Sequence, residues 1–220
     1  MPPGTLYVVA TPIGNLEDLT LRALRTLKEV GLVACEDTRR TRVLLSHYGI
    51  SVPVTSYFEH NKRVKGEVIL RALRDGKSVA LVTDAGTPGI SDPGFRLVKD
   101  ARAEGIPVTP IPGPSAVVTA LSAAGVPADH FVFEGFLPVK PGRRLNRLRA
   151  LRELETTIVC YESPHRIAAS LAAIAEVFGE TSIVLARELT KQFEEIVEGT
   201  PGVLAEIGRA SCRERVLDHV

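Results

Sequence analysis

Short apolar runs rich in valine, isoleucine and leucine alternate with segments of helical periodicity along most of the chain. The runs have the length of strands, and the segments between them repeat apolar residues three or four positions apart. Strands that alternate with helices are typical of α/β folds with a largely parallel sheet. The pattern therefore predicts an α/β protein. The predicted strands are Leu6–Ala10, Leu32–Cys35, Val52–Thr55, Ser78–Thr83, Pro107–Ile111, Phe131–Phe136, Thr156–Tyr161 and Ser182–Arg187.

Capping residues mark where the predicted helices begin and end. Thr20 is suited to cap a helix that runs to Val30, and Gly31 follows as a stop signal. The segment from Asn61 to Asp75 repeats this design. Two more helices are predicted over Gly142–Leu154 and Pro164–Phe178.

A domain boundary is predicted near Pro110–Pro114, where three prolines in five residues exclude a continuous helix or a central strand. The alternation of strands and helices starts again after it. The sequence thus predicts two α/β domains, residues 1–113 and 114–220, whose loops surround a shared ligand cleft.

The composition excludes several classes of protein. The chain has 220 residues, 45% hydrophobic and 24% charged, which is ordinary for a globular protein. No apolar run approaches the roughly 20 residues of a membrane span, and the N-terminus lacks the pattern of a secretory leader. We therefore expect a cytoplasmic protein. Its cysteines, Cys35, Cys160 and Cys212, are too far apart to predict a CxxC zinc site, and a disulfide is not expected.

The segment Thr83–Gly94, reading TDAGTPGISDPG, is predicted to be a ligand loop at the end of a strand. Its glycines permit close backbone approach or positive φ, and its prolines stiffen it. Asp92 and Pro93 have the pattern of a helix N-cap and a first-turn proline. The segment is longer than the usual connection of about 2–6 residues. Its glycine spacing does not match a dinucleotide-binding GxGxxG, and Gly76-Lys77-Ser78 lacks the upstream glycine of a P-loop.

Polar residues follow six of the predicted strands. In open α/β sheets, ligands bind outside the carboxyl ends of the strands, so these clusters predict one composite site. Any single cluster could instead be turn chemistry. The clusters cover residues 11–15, 36–39, 84–94, 112–116, 161–166 and 187–191.

The net charge of +1 excludes a polycation that coats nucleic acid, but it permits local basic patches. Six cations lie between Lys140 and Arg152 with no acidic residue among them. Arginine forks suit phosphates, so the run favours a polyanionic partner over a merely solvated helix face. The candidate RNA contacts are Arg39, Arg40, Asn61, Arg143, Arg144, Arg166 and Lys191.

Six motifs resemble, in order and separation, the ribosomal small-subunit methyltransferase I family within the tetrapyrrole methylase superfamily. They are TPIGNLEDLT, EDTRRT, DAGTPGISDPG, PGPSA, YESPHR and ARELTK, and the resemblance covers Gly4 to Thr200. It implies two α/β lobes of the tetrapyrrole methylase type, with the donor site in the cleft between them. It also implies a homodimer that uses S-adenosylmethionine to methylate the ribose 2'-hydroxyl of a cytidine in the decoding region of 16S rRNA.

The resemblance further implies which residues bind the methyl donor, and it implies a site without metal. The donor residues carried over are Pro12, Gly86, Thr87, Ile90, Ser115, Ala116, Tyr161, Glu162 and Ala186. The general base stays open. Its candidates are Asp37, Asp84, Asp92 and Glu162, each of which could instead cap a helix or pair with an arginine, with His60 and His165 as further possibilities.

Two alternatives remain open at this point. One is a methyltransferase of the same superfamily that acts on a corrin or porphyrin precursor, and the other is an inert module that binds ribosomal RNA. The motifs also depart from the family pattern near the C-terminus. Residues 207–220 are therefore predicted to be non-native, and the second domain to be truncated.

Overall fold

The computed structural model describes residues 2–92 and 94–206. Pro93, predicted in the first turn of a helix, and residues 207–220, predicted to be non-native, lie outside the described residues. The chain divides into two compact units between Ala116 and Val117. The domain boundary after Gly113 stays a prediction. In the described part of the chain, no helix has the length and apolar character needed to cross a membrane.

The first unit is a five-stranded parallel sheet between helices, in the strand order β3-β2-β4-β1-β5. The strands are β1 Leu6–Val9, β2 Leu32–Cys35, β3 Val54–Ser56, β4 Val79–Leu81 and β5 Val108–Ile111. The helices are α1 Leu21–Glu29, α2 Thr38–His47, α3 Lys62–Arg74 and α4 Gly94–Ala103, and a 3-10 turn covers Leu16–Asp18. The predicted α/β fold with a parallel sheet is confirmed.

The central strands β1, β2 and β4 are apolar along their length, as is typical of parallel strands whose two faces are both covered by helices. Alternate strand residues point to opposite faces, so Val79 and Ala80 contribute to two different cores. On one face, strand residues pack with α3 and α4; on the other, they pack with α1 and α2. The first core includes Leu6, Leu81, Ile69, Leu73 and Leu97, and the second includes Val9, Val33, Ala23, Leu27 and Leu45.

The second unit contains two separate strand pairs among its described residues. The parallel pair joins β6 Phe131–Phe136 to β7 Thr157–Tyr161, and the antiparallel pair joins β8 Ile183–Arg187 to β9 Glu195–Gly199. The helices are α5 Ala116–Ala124, α6 Pro141–Arg152 and α7 Ile167–Phe178. Helices α6 and α7 pack through Leu148, Leu151 and Val177.

Strand β9 and the helical residues 201–206 were not predicted. The sequence of β9, EIVEG, has too few apolar residues to give a clear strand signal on its own. Pairing with β8 stabilises β9 as a strand. In the helical residues that follow, Leu204 is fully buried against Ile183 and Leu185. Tertiary contacts therefore decide the structure of residues 195–206.

Gly4, just before β1, is packed so closely against backbone atoms that no side chain would fit. Its N–H donates to the carbonyl of Leu73 at 2.7 Å. A Cβ at this position would lie 2.4 Å from the carbonyl carbon and oxygen of Lys77, which are backbone atoms and cannot turn away. Gly66, within α3, is different, because its Cβ would make an ordinary contact of 3.7 Å with the ring of Tyr57.

We expect Gly4→Ala and Gly66→Ala to change the free energy of unfolding in opposite directions. Gly4→Ala should destabilise the protein by about 1–3 kcal/mol through overpacking. Gly66→Ala should stabilise it by about 0.5–1 kcal/mol, because alanine loses less backbone entropy in a helix. Urea unfolding midpoints of both variants measure the effect. Equal midpoints would contradict the packing described for Gly4.

Candidate functional site

Hydrogen bonds join the loops that follow β1, β4 and β5. The N–H of Thr11 donates to the carbonyl of Gly86 at 2.9 Å, and the N–H of Gly86 returns a bond to the carbonyl of Thr11 at 3.0 Å. The Thr11 hydroxyl donates to the carbonyl of Thr83 at 3.1 Å. The Thr87 hydroxyl donates to the carbonyl of Pro114, also at 3.1 Å. The structure thus brings together Pro12, Gly86 and Thr87 with the loop that leads to Ser115 and Ala116.

Gly86, within this cluster of loops, has a backbone conformation that residues with a side chain rarely adopt. Its φ is +85°, and a Cβ would lie 3.5 Å from Ile13 Cγ2 and 3.7 Å from the Pro114 carbonyl oxygen. A side chain here would be strained by its backbone angle and would occupy the space between neighbouring loops. Ile90, later in the same loop, is 46% exposed. The loop therefore presents bare backbone at one point and an apolar side chain at another.

Asp37, a candidate base, is occupied as a helix cap. Its carboxylate accepts the N–H of Arg39 at 2.8 Å at the start of α2 and pairs with the Arg39 guanidinium, also at 2.8 Å. These hydrogen bonds lower the pKa of Asp37 to about 2. A carboxylate of such low basicity is a poor proton acceptor near neutral pH.

Asp84 and Asp92 have different environments. Asp84 Oδ1 accepts the N–H of Asp37 at 3.1 Å, and Oδ2 lies 3.5 Å from Arg40. Asp92 accepts the N–H groups of Gly89 at 2.8 Å and Gly94 at 2.6 Å, so it shapes the loop before α4. Burial raises the pKa of Asp92, although these two N–H groups act against the shift.

Glu36 is a member of this cluster that the sequence analysis did not select. Burial raises its pKa, and the nearby charges of Asp92 and Asp84 raise it further. The Thr83 hydroxyl donates to Glu36 Oε2 at 3.3 Å. Its position directly after a buried strand, beside Asp37, was the signal that could have identified it.

A small pocket lies at the same edge of the first unit. Its volume is about 110 Å³. Its charged lining residues are Arg40 and Asp84, which lie 3.5 Å apart. Its lining also includes Pro12, from the loop after β1. The complete lining is Thr11, Pro12, Leu16, Arg40, Thr41, Val43, Leu44, Thr83 and Asp84.

Tyr161 ends β7 in the second unit, within an aromatic group. Its ring makes edge contacts with Phe133, at a centroid distance of 4.8 Å, and with Phe136, at 5.7 Å. Burial raises the pKa of Tyr161, whereas a hydrogen bond with the Val117 backbone lowers it. Ala186 lies in β8, opposite Ile196 of β9.

Glu162 is the centre of a buried polar network. Its Oε1 accepts the N–H of Ser163 at 2.8 Å, and its Oε2 accepts the hydroxyl of Ser170 and lies 3.4 Å from Arg166. Arg144 Nη1 donates to Ser170 Oγ at 3.1 Å. The Arg144 residue is only 6% exposed. The burial of Arg144 argues against its contact with RNA. Both carboxylate oxygens of Glu162 already accept hydrogen bonds.

Most of the basic run in α6 is paired within the second unit. Arg147 makes two bonds of 2.6 Å with Glu134, Arg149 pairs with Glu176 at 3.3 Å, and Arg152 donates to the Val177 carbonyl at 3.1 Å. These partners come from other elements, so the run alone could not reveal them. The side chains of Arg147, Arg149 and Arg152 remain 45%, 55% and 54% exposed, so the interpretation of the run as a phosphate surface stays a prediction. Lys140 and Arg143 are exposed members of the run for which no ion pair is described.

The remaining candidates divide between half-buried and exposed positions. Asn61 is half-buried, and its side-chain amide donates to the Ser56 carbonyl at 3.3 Å while its amide oxygen accepts the Phe58 N–H at 2.8 Å. Arg166 donates to the Leu137 carbonyl at 2.6 Å. The exposed candidates are Arg39, Arg40, Arg143, His60 and His165; Lys191, on the surface, pairs with Glu188 at 3.2 Å. Over residues 2–92 and 94–206, no group of three or more His, Cys, Asp or Glu side chains is placed to hold a metal ion.

Comparison with known proteins identifies the family of this chain. The model of the tetrapyrrole (corrin/porphyrin) methylases matches residues 5–205. A ribosomal RNA small subunit methyltransferase I from Mesorhizobium japonicum is 56% identical over 202 residues, which cover 91% of this chain and 69% of that protein.

Solved structures share the fold at low sequence identity. A cobalt precorrin-4 methyltransferase of cobalamin biosynthesis has a TM-score of 0.72 and 20% identity, covering 94% of this chain and 90% of its own. A uroporphyrin-III C-methyltransferase from Thermus thermophilus, complexed with S-adenosyl homocysteine, has a TM-score of 0.65 and 20% identity, covering 93% and 92%. The resemblance drawn from the six motifs is confirmed: the chain belongs to the tetrapyrrole (corrin/porphyrin) methylases and, within them, to the ribosomal RNA small subunit methyltransferase I proteins.

Proposed function

We propose that this protein transfers a methyl group from S-adenosylmethionine to the ribose 2'-hydroxyl of a cytidine in the decoding region of 16S rRNA. The observation that carries the proposal is the 56% identity over 202 residues with a protein named for methylation of small-subunit ribosomal RNA. The corrin and porphyrin enzymes share the fold at 20% identity, which does not extend to their substrates. RNA is therefore the acceptor we favour.

The joined loops of the first unit suit the methyl donor. Gly86 offers backbone without a side chain, and Ile90 offers an apolar surface for the adenine. Helix α5 begins at Ala116, so its first N–H groups lack helical partners and favour a carboxylate. The full set proposed for donor contact is Pro12, Gly86, Thr87, Ile90, Ser115, Ala116, Tyr161, Glu162 and Ala186.

The donor, when bound, supplies a methyl group on a positively charged sulfur. The main task of the protein is then to hold the acceptor hydroxyl in line with that carbon–sulfur bond. The carboxylates of three candidate bases already accept structural hydrogen bonds: Asp37 caps α2, Asp92 binds two N–H groups of its own loop, and Glu162 binds Ser163 and Ser170. We therefore assign most of the catalysis to positioning by the loops rather than to a strong general base.

Exposed arginines are proposed to contact the RNA. Arg39 and Arg40 have side chains that are 87% and 70% exposed, and Arg143 is exposed in the first turn of α6. Focused cations on a nearly neutral chain suit a shaped, assembled particle better than an arbitrary strand. The proposed substrate is the small ribosomal subunit, methylated in the cytoplasm.

A homodimer is also proposed. The second unit exposes several large apolar side chains that suit burial against another copy of the chain. These include Val118 at 61%, Phe136 at 54% and Val139 at 73% exposure.

The proposed reaction is tested by transfer of labelled methyl from S-adenosylmethionine to small subunits that lack the modification. We expect label in a 2'-O-methylcytidine of the decoding region, identified by nuclease mapping and mass spectrometry. Subunits that already carry the modification are the control and should accept none. Donor binding without transfer would contradict the proposed acceptor, and absence of donor binding would contradict the enzyme itself.

Gly86→Ala is expected to weaken donor binding about tenfold. The added methyl would fill the space beside Ile13 where close approach of the donor to the backbone is proposed, and a tenfold loss of affinity corresponds to about 1.4 kcal/mol. Gly49→Ala is the matched control, because Gly49 has a φ of +63° and nothing within 4 Å of its Cβ position. Calorimetric titration with S-adenosylhomocysteine measures the affinity. Similar affinities for the two variants would contradict the placement of Gly86 in the donor site.

Arg143→Ala is expected to weaken binding to small subunits and to reduce the slope of log affinity against log salt by about 1, as for one lost phosphate contact. Arg102→Ala removes an equally exposed arginine from the end of α4 and should leave the slope unchanged. Filter binding across a salt series gives both slopes. An unchanged slope for Arg143→Ala would remove this residue from the proposed RNA surface.

A further inference from the structure

The pocket beside Pro12 is too small for the methyl donor. Its volume is about 110 Å³, whereas sites for drug-sized ligands are typically about 300–1,000 Å³. It suits one small ring. Leu16, Val43 and Leu44 are its large apolar lining residues, and its charged lining residues are Arg40 and Asp84.

The polar side carries a hydrogen-bond acceptor next to a hydrogen-bond donor. Asp84 Oδ1 is engaged by the Asp37 N–H at 3.1 Å. Asp84 Oδ2 lies 3.5 Å from Arg40 Nη1, which is beyond the usual length of such a hydrogen bond. The oxygen therefore retains capacity to accept another donor. Arg40, with a side chain 70% exposed, keeps guanidinium N–H groups for another acceptor.

This acceptor–donor pair matches the edge of cytosine. The N4 amino group of cytosine donates, and its N3 and O2 atoms accept. We propose that the pocket takes the cytosine base of the target nucleotide, with Asp84 accepting from the N4 amino group and Arg40 donating to N3 or O2. This inference rests on the proposed function, and it adds the means by which the base is chosen.

Uracil would fit poorly in the same orientation. It presents the O4 carbonyl oxygen where cytosine presents the amino group, so two acceptors would face each other at Asp84. A site that leaves a polar group unpaired discriminates strongly against the wrong ligand. The pocket therefore selects cytidine over uridine by repulsion as well as attraction.

The pocket adjoins the loops proposed to hold the donor. Pro12 lines the pocket, and its neighbour Thr11 is bonded to Gly86 through two backbone hydrogen bonds. A base held by Asp84 would carry its ribose toward this edge of the sheet. Proteins that recognise RNA by sequence commonly bind splayed-out, single-stranded bases through their edges.

The test is nucleotide binding, which needs no methyl transfer. Ligand-observed NMR titrations compare cytidine and uridine 5'-monophosphates on the wild-type protein and on Asp84→Asn. We expect about tenfold preference for the cytidine nucleotide in the wild type and loss of that preference in the variant, since an amide both donates and accepts. Absent cytidine nucleotide binding, equal binding of both nucleotides by the wild type, or an unchanged preference in the variant would overturn the inference.

A second pair of variants guards against effects on folding. Val43 is 65% exposed on α2 and lines the pocket, so Val43→Trp should abolish cytidine nucleotide binding by filling it. Val64 is 73% exposed on α3, and Val64→Trp should leave binding unchanged. Thermal unfolding confirms that both remain folded. Normal nucleotide binding by Val43→Trp would show that the base binds elsewhere and would overturn the inference. If the nucleotides bind as expected but no methyl transfer to small subunits is detected, the proposed reaction is contradicted and the base pocket is not.

Discussion

The two backbone hydrogen bonds between Thr11 and Gly86 hold together the loops on which the candidate site depends. Parallel strands bring their carboxyl ends to one edge, but they do not by themselves fix the loops that follow. The mutual bonds join the loop after β1 to the loop after β4, and Thr87 extends the connection to Pro114. The proposed donor site, built largely from backbone, would require such a scaffold, because the contribution proposed for the protein is alignment.

The charged residues fall into two groups: those with partners that stabilise the fold, and those whose side chains are exposed to solvent. Arg144 and Glu162 are buried in one network, and Arg147 is tied to Glu134. Burial removes Arg144 from any RNA surface, because a buried charge separated from its partner is costly. Asp84 differs, since one of its oxygens is held by backbone while the other is only loosely paired.

Local signals predicted much of the fold and part of the site. The helix capped by Thr20 begins at Leu21, as expected, because its hydroxyl accepts the Ala23 N–H at 3.1 Å. The strand at Glu195–Gly199 was missed because its stability comes from pairing with β8. The raised pKa of Glu36 was likewise not predicted, since it arises from burial and from Asp92 and Asp84, which are distant in the chain.

The sequence by itself determined the α/β class, the positions of most strands, the family and the loops that carry the motifs. Periodicity, caps and glycine–proline spacing are local properties, so they can be read along the chain. Only the tertiary structure decided that Arg144 is buried, that Asp37 is a cap of low basicity, and that Arg40 and Asp84 share a pocket. These outcomes depend on which distant groups become neighbours, and burial and pairing then set the chemistry of each side chain.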